Sequence, residues 1–224
     1  MEWDWALTWE ILPELARAFR VTVAATIIGF SMALVGGLVL TILRRSPFRI
    51  ISWPANFIVE FVRSTPLLVQ LYFFYFVFPV EIPDMGGIFT SAFITGVLAL
   101  ALHYSSYTSE VYRAGIDAVP KGQWEAAAAL NMSGGRTWTS VILPQAIPPI
   151  LPALGNYLIA MFKDTPLLYA ITVVELLTTA YQIGSARFQY VEAFTIVGVL
   201  FLIVSLMSAW LIRRMERWTA LPSH

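Results

Sequence analysis

Glu60, Arg63, Lys163 and Asp164 stand inside, or at the edge of, long apolar stretches of this sequence. At the centre of a bilayer each such charge costs about 2.5–3.5 kcal/mol on insertion scales, so each must face protein or water. Charged groups held there can pair to hold helices together, or they can bind and release the charged ends of a passing solute. Glu60 and Arg63 are three apart and can pair along one helix face. Lys163 and Asp164 are adjacent, roughly 100° apart around a helix, so each needs a partner elsewhere. Cross-pairs of Arg63 with Asp164 and of Lys163 with Glu60 are expected. A second polar run, His103 to Glu110, brings His103, Ser106 and Glu110 onto one helical face. That face suits either a pathway lining or an interhelical hydrogen-bond seam. Glu110 and Arg113 are spaced to pair with each other, and Gln70 is a further polar candidate. His103, Glu110 and Asp164 are of the types that transfer protons. No nucleophile motif accompanies them, and the two histidines, His103 and His224, are too far apart to suggest a metal site. An enzyme is therefore not expected.

The elements that must carry these residues are membrane helices. The chain has 224 residues, of which 58% are hydrophobic and 12% charged, with a mean hydropathy of +0.72. A soluble domain is about 25% charged. Net charge is zero and cysteine is absent, which removes a bulk field for nucleic acid, disulfides and thiolate metal sites. The acidic start MEWDWALTWE lacks a cationic leader, so no cleaved signal is expected. A span takes about 20 apolar residues. Five are expected, at roughly 15–43, 50–80, 89–111, 145–168 and 191–212, within one transmembrane domain over 1–224. Arg44, Arg45, Arg49, Arg113, Lys121, Arg136, Arg213, Arg214 and Arg217 fall on one side, against Arg17, Arg20 and Arg187 on the other. That bias places the C-terminus and the loop at about 113–144 in the cytoplasm, and the N-terminus outside. Trp3, Trp5, Trp9 and Trp218 read as interfacial anchors.

One pattern repeats. Arg63-Ser-Thr65-Pro-Leu-Leu68 returns as Lys163-Asp164-Thr165-Pro-Leu-Leu168, one hundred residues later. Each copy puts a proline into an apolar span, where it removes a backbone hydrogen bond and kinks the helix. Carbonyls freed in lipid need a partner or a water-lined cavity. Proline-interrupted segments at matching places in two halves point to a transport pathway.

The stretch EAAAALNMSGGRTWTSVILP, residues 125–144, is polar and alanine-rich in an otherwise apolar chain. Pro120 suits a helix start, and 125–130 are strong helix formers. Asn131 suits a left-handed cap, Ser133 a second N-cap, and Pro144 marks the start of the fourth span. So short a helix is marginal alone. Its smooth alanine face, flanked by Glu125, fits a cleft of a soluble partner.

Glu125-Ala126-Ala127, then Asn131, then Val141-Ile142-Leu143-Pro144 resembles the EAA loop of ATP-binding cassette (ABC) importer permeases. Asn131 replaces the usual Gly, and Val141 the usual Ile. Glu60 to Gln70, Tyr107 to Arg113 and Phe162 to Leu168 are similar to the polar amino acid uptake branch. The strings LHYSSYTSEVYRAG, GQWEAAAALN and ALGNYLIAMFKDTPLL resemble ectoine and hydroxyectoine permease subunits. The resemblance implies an all-α integral membrane protein with the five-helix type I importer permease fold. It implies that Glu125, Ala126, Ala127, Asn131, Val141, Leu143 and Pro144 couple to an ATPase. Arg63, Thr65, Gln70, His103, Ser106, Lys163, Asp164 and Thr165 are the pathway candidates. The implied partners are a second permease subunit, paralogous or identical, two cytoplasmic ATP-binding subunits and an extracytoplasmic solute-binding protein. No phosphate-cradling glycine loop is present, so no cofactor is expected in this chain; ATP and Mg²⁺ belong to the ATPase. The expected function is ATP-driven import of a small zwitterion, a polar amino acid or an ectoine-type solute, by alternating access across the cell inner membrane. A secondary transporter or channel using Lys163 and Asp164 is the rival class.

Overall fold

The computed structural model describes residues 3–81, 89 and 91–219, without the side chains of 218 and 219. Glu2, Asp84 and His224 lie outside the described residues. All regular structure within them is helical. Helix α1 spans Trp5–Arg44 and is capped by Asp4, whose carboxylate accepts from Leu7 N at 2.9 Å. Helix α2 is Arg49–Ser64. Helix α3, Leu67–Tyr72, continues through a π turn at Phe73–Val77 into Phe78–Glu81. Helix α4 is Ala92–Asp117 and α5 is Lys121–Ala129. Helix α6, Gly134–Thr137, runs through a second π turn, Trp138–Ile142, into α7, Leu143–Asp164. A 3₁₀ turn, Thr165–Ile171, precedes α8, Leu176–Arg187, and α9, Tyr190–Thr219.

Three described stretches are long and apolar enough to cross a membrane: Trp5–Arg44, Gly134–Ile171 and Tyr190–Arg217. The α2–α3 pair counts as a fourth, bent by 108° at its break. The remaining expected span, α4, has 26 residues, about 39 Å of helix, but is too polar to qualify by composition. It sits inside the molecule, packed by α1, α2, α3 and α7, and its polar centre is shielded by protein rather than exposed to lipid.

The α1–α4 contact is a small-residue seam. A Cβ on Gly36 or Gly37 would overlap Ser105 Oγ or Thr108 Oγ1. Thr108 donates to Ala33 O at 2.9 Å, and Thr41 to Ser109 Oγ at 3.3 Å. Close approach and interhelical hydrogen bonds of this kind hold helices together where lipid offers no hydrophobic drive.

Both π turns sit just ahead of a proline. Phe78 N reaches Phe73 O before Pro79, and Leu143 N reaches Trp138 O before Pro144. The ring of each proline would crowd the carbonyl four residues back, at Tyr75 or Ser140, and the wider turn relieves that clash.

Helix α8 was not expected from the apolar pattern. Glu175 caps it, accepting from Thr178 N at 2.8 Å and from Thr22 Oγ1 at 3.2 Å. Burial pushes this carboxyl above the ordinary carboxylate range. Phe188 ends the helix in a left-handed conformation, φ 55°.

Candidate functional site

The elbow between α4 and α7 is built by local chemistry. At the end of α5, Asn131 takes a left-handed conformation, φ 51°. Met132 N bonds Ala127 O at 3.1 Å and Asn131 N bonds Ala128 O at 2.9 Å. These two bonds form the Schellman cap, here with asparagine in the usual glycine position, as expected. Ser133 stands before α6 with extended backbone, but its hydroxyl makes no cap hydrogen bond. Nor is α6 a separate helix of a hairpin: Gly134–Ile171 is one helical stretch, so the helix that carries the fourth span begins ten residues before Pro144. Val119, Ile142 and Ala146 form a small core under the elbow, with Trp124 set edge-on to Trp138 at 5.2 Å.

The alanine run does not present one smooth outer face. Ala127 is buried at 3% exposure, and α5 packs against the second π turn. Glu125, Ala126, Ala128 and Ala129 are exposed, and Leu130 is 76% exposed. A helix of this length must bury one side on its own protein, and Ala127 is on that side. Val141 and Leu143 are half-buried; Pro144 is exposed and lines a cavity of about 230 Å³ with Gly115, Val119, Gln145 and Pro149. Leu130 is the elbow residue that sequence reasoning passed over.

The two echoed segments meet, α3 packing against the 3₁₀ turn, but they differ in form. At Thr65-Pro66 the chain is extended and the helix axis turns by 108°. Gln70 repairs the break, its Nε2 donating to Val62 O at 2.8 Å, Thr65 O at 3.1 Å and Thr65 Oγ1 at 2.7 Å. Its Oε1 meets His103 Nδ1 at 3.1 Å, which ties the joint to α4. The second copy shows no such break: Thr165 Oγ1 donates to Phe162 O at 2.7 Å and the helix tightens to 3₁₀ geometry.

Neither expected cross-pair forms. Arg63 Nη1 lies 3.4 Å from Glu110 Oε1 and over the Tyr107 ring at 5.6 Å. Asp164 accepts from the Tyr104 hydroxyl at 2.6 Å. The Glu60–Arg63 pair that the spacing allows is also absent among the described salt bridges; Glu60 and Lys163 are exposed. The reason is the fold: α2 packs on α4, which turns Arg63 to Glu110 rather than to α7. Glu110 is shared by three guanidiniums, with Arg44 and Arg113 each at 2.7 Å, so the expected Glu110–Arg113 pair is present. Asp117 then bridges Arg113 and Arg45.

Between Arg63 and Asp164 lies an aromatic cluster. Tyr107 is 5.4 Å from Tyr157 and 6.1 Å from Tyr104, and Tyr104 is 6.3 Å from Tyr157. A cation, π faces and a carboxylate thus follow one another across α2, α4 and α7. The pathway candidates divide here. Arg63 and Lys163 are exposed, and Thr65 and Asp164 half-buried. Gln70, His103, Ser106 and Thr165 are buried; Gln70 and His103 join α3 to α4, while Ser106 Oγ and Thr165 Oγ1 donate locally, to His103 O and Phe162 O. The three tyrosines escaped the sequence reading, since a tyrosine inside a span carries no charge to single it out. No group of His, Asp and Glu that could hold a metal occurs among the described residues.

Residues 25–220 match the family model for the binding-protein-dependent transport system inner membrane component. The chain is similar to a probable amino-acid ABC transporter permease protein, y4tG, of Sinorhizobium fredii, with 47% identity over 203 residues that cover 91% of this chain and 86% of the relative. It is 33% identical over 217 residues to the arginine transport system permease protein ArtQ of Bacillus subtilis, covering 97% of each. A crystal structure of an amino acid ABC transporter with histidines superposes with a TM-score of 0.87 at 33% identity, covering 97% of this chain and 99% of that one. With this fold and these relatives, the chain belongs to the family of binding-protein-dependent transport system inner membrane components, as a multi-pass permease of an amino-acid ABC importer.

Proposed function

We propose that this permease imports a small zwitterion by alternating access, with the elbow around Glu125 and Leu130 as the part a cytoplasmic ATPase grips. The observation that carries the reading is continuity. One helical stretch, Gly134–Ile171, joins the elbow to Asp164, so a displacement at the elbow is delivered to the polar site without a flexible link. Arg63 suits a solute carboxylate, Asp164 a solute ammonium, and the tyrosine faces between them a cation. That spread of charge fits a polar amino acid and equally the delocalised cation and carboxylate of an ectoine-type solute. The family works with a second permease, ATPase subunits and a solute-binding protein; here we assign two cytoplasmic ATPases, the N-terminus outside and the C-terminus inside. ATP and Mg²⁺ are held by the ATPase, whose closure moves the elbow and opens the pathway outward.

The test is ATP-driven uptake by the reconstituted importer, with ATPase assembly followed separately. Leu130→Asp is expected to fold and insert but to lose ATPase association and uptake, since its side chain touches little of this chain. Asp164→Asn is expected to assemble and hydrolyse ATP yet lose at least tenfold in solute-stimulated transport, consistent with one charge-assisted contact of about 1.5–3 kcal/mol. Normal uptake by both variants overturns the reading. Binding of ectoine against amino acids to the cognate binding protein decides the solute class.

A further inference from the structure

We propose that the exposed stripe at the C-terminal end of α9 is a binding site for one anionic phospholipid. Its phosphate is held by Arg213, Arg214 and Arg217, and an acyl chain lies along Leu206, Met207 and Leu211. Trp210, Arg213, Arg214 and Arg217 recur at spacings of three and four, so they share one helical face. Together they line a recess of about 340 Å³. The Arg214 guanidinium lies over the Trp210 ring at 5.7 Å, which fixes its plane. Arg213 and Arg217 enter no salt bridge among the described residues.

A second recess, also about 340 Å³ and almost wholly apolar, is lined by Leu206, Met207, Trp210 and Leu211. The two share Trp210. Each of these four side chains is more than half exposed, from Leu211 at 52% to Met207 at 63%. Ile212, by contrast, is buried at 6% and packs where a Cβ on Gly155 would meet it at 3.0 Å. That contact keys α9 against α7 and turns the arginine stripe away from the bundle.

The order along the helix is hydrocarbon, amphipathic indole, then guanidinium, over about 16 Å from Leu206 to Arg217. A phospholipid has the same order: acyl chain, interfacial glycerol, phosphate. Arginine forks match phosphate oxygens in two-point contacts, and basic clusters at the cytoplasmic end of a membrane helix attract anionic headgroups. Topological bias alone asks for positive charge at this end. It does not ask for a ring-braced guanidinium recess joined to an acyl-sized groove. A second copy of the chain docked face to face on the stripe would bring six arginines together, so charge selects a lipid over a like partner.

The test uses the assembled importer in nanodiscs of phosphatidylcholine containing a minor fraction of phosphatidylglycerol, with retained lipid measured by mass spectrometry after detergent washing. The native chain is expected to retain phosphatidylglycerol preferentially. R213Q/R214Q/R217Q is expected to lose that preference by on the order of 100-fold, while the triple lysine variant, which keeps charge and topology, retains part of it. Equal retention by the native chain and the glutamine variant overturns the proposal. So does displacement by millimolar glycerophosphate, which would mark a free-phosphate site. Loss of subunit assembly in the glutamine variant with phosphatidylglycerol still retained would mark a protein contact and overturn it as well.

Discussion

Ala127 and Leu130 are three positions apart yet have opposite surroundings, one at 3% and the other at 76% exposure. The same substitution should therefore fail in two distinct ways. Ala127→Asp puts an unpaired charge at a buried position of the elbow, and removal of a charge from water without a partner is among the costliest single changes. Its expected result is loss of folded permease from the membrane, measured as detergent-extracted monodisperse protein, whereas Leu130→Asp keeps that protein and loses only the ATPase. Equal yields for both would show that burial at Ala127 contributes nothing. At this scale residue types were more legible than partners. That Glu110 and Arg113 pair follows from spacing on one helix. That Arg63 also reaches Glu110, and that Asp164 takes a tyrosine hydroxyl, depends on how α2, α4 and α7 are juxtaposed.

Broken and bent helices carry most of the functional geometry at the next scale. The Thr65-Pro66 joint was legible because proline lacks a donor and disfavours helix in the residue before it. The repair by Gln70 was not, because a glutamine side chain can reach many carbonyls and only the 108° bend brings Val62 O and Thr65 O within its range. Gln70→Leu should leave both carbonyls without this donor and release His103 Nδ1. A destabilisation of about 1–3 kcal/mol is expected, measured as reduced thermal stability of the solubilised importer; an unchanged midpoint would show that water replaces the amide at no cost. The echoed Thr165-Pro166 segment had the same letters and took another form, since Thr165 bonds back to Phe162 and the chain continues as a tighter helix. Helix α8 escaped notice because half its length is polar and its apolar residues Leu176, Ala180 and Ile183 pack on α1 and α9 rather than on lipid.

For the whole molecule, α4 is the pivot: its polar residues are buried by α1 on one side and by α2, α3 and α7 on the others. Gly37→Leu would force α1 from α4 against Thr108 and the Ser105 carbonyl, a backbone contact that no rotamer change relieves. The expected result is loss of folded protein, read by fluorescence size-exclusion chromatography, while leucine at Gly198, where a Cβ meets open space, is tolerated. Composition and hydropathy sufficed to determine that this is a helical membrane protein, since a chain with so few charges and such long apolar runs can satisfy its backbone in lipid only as helices. The glutamate-alanine-alanine motif, the Asn131 cap and the break at Thr65-Pro66 were equally readable, because each shows in neighbours a few residues away. The tertiary structure alone decided which polar groups are sealed between helices and which remain open around Arg63, Tyr107 and Asp164. Those environments are set by residues as far apart in the chain as Tyr104 and Asp164, whose contact no local spacing encodes.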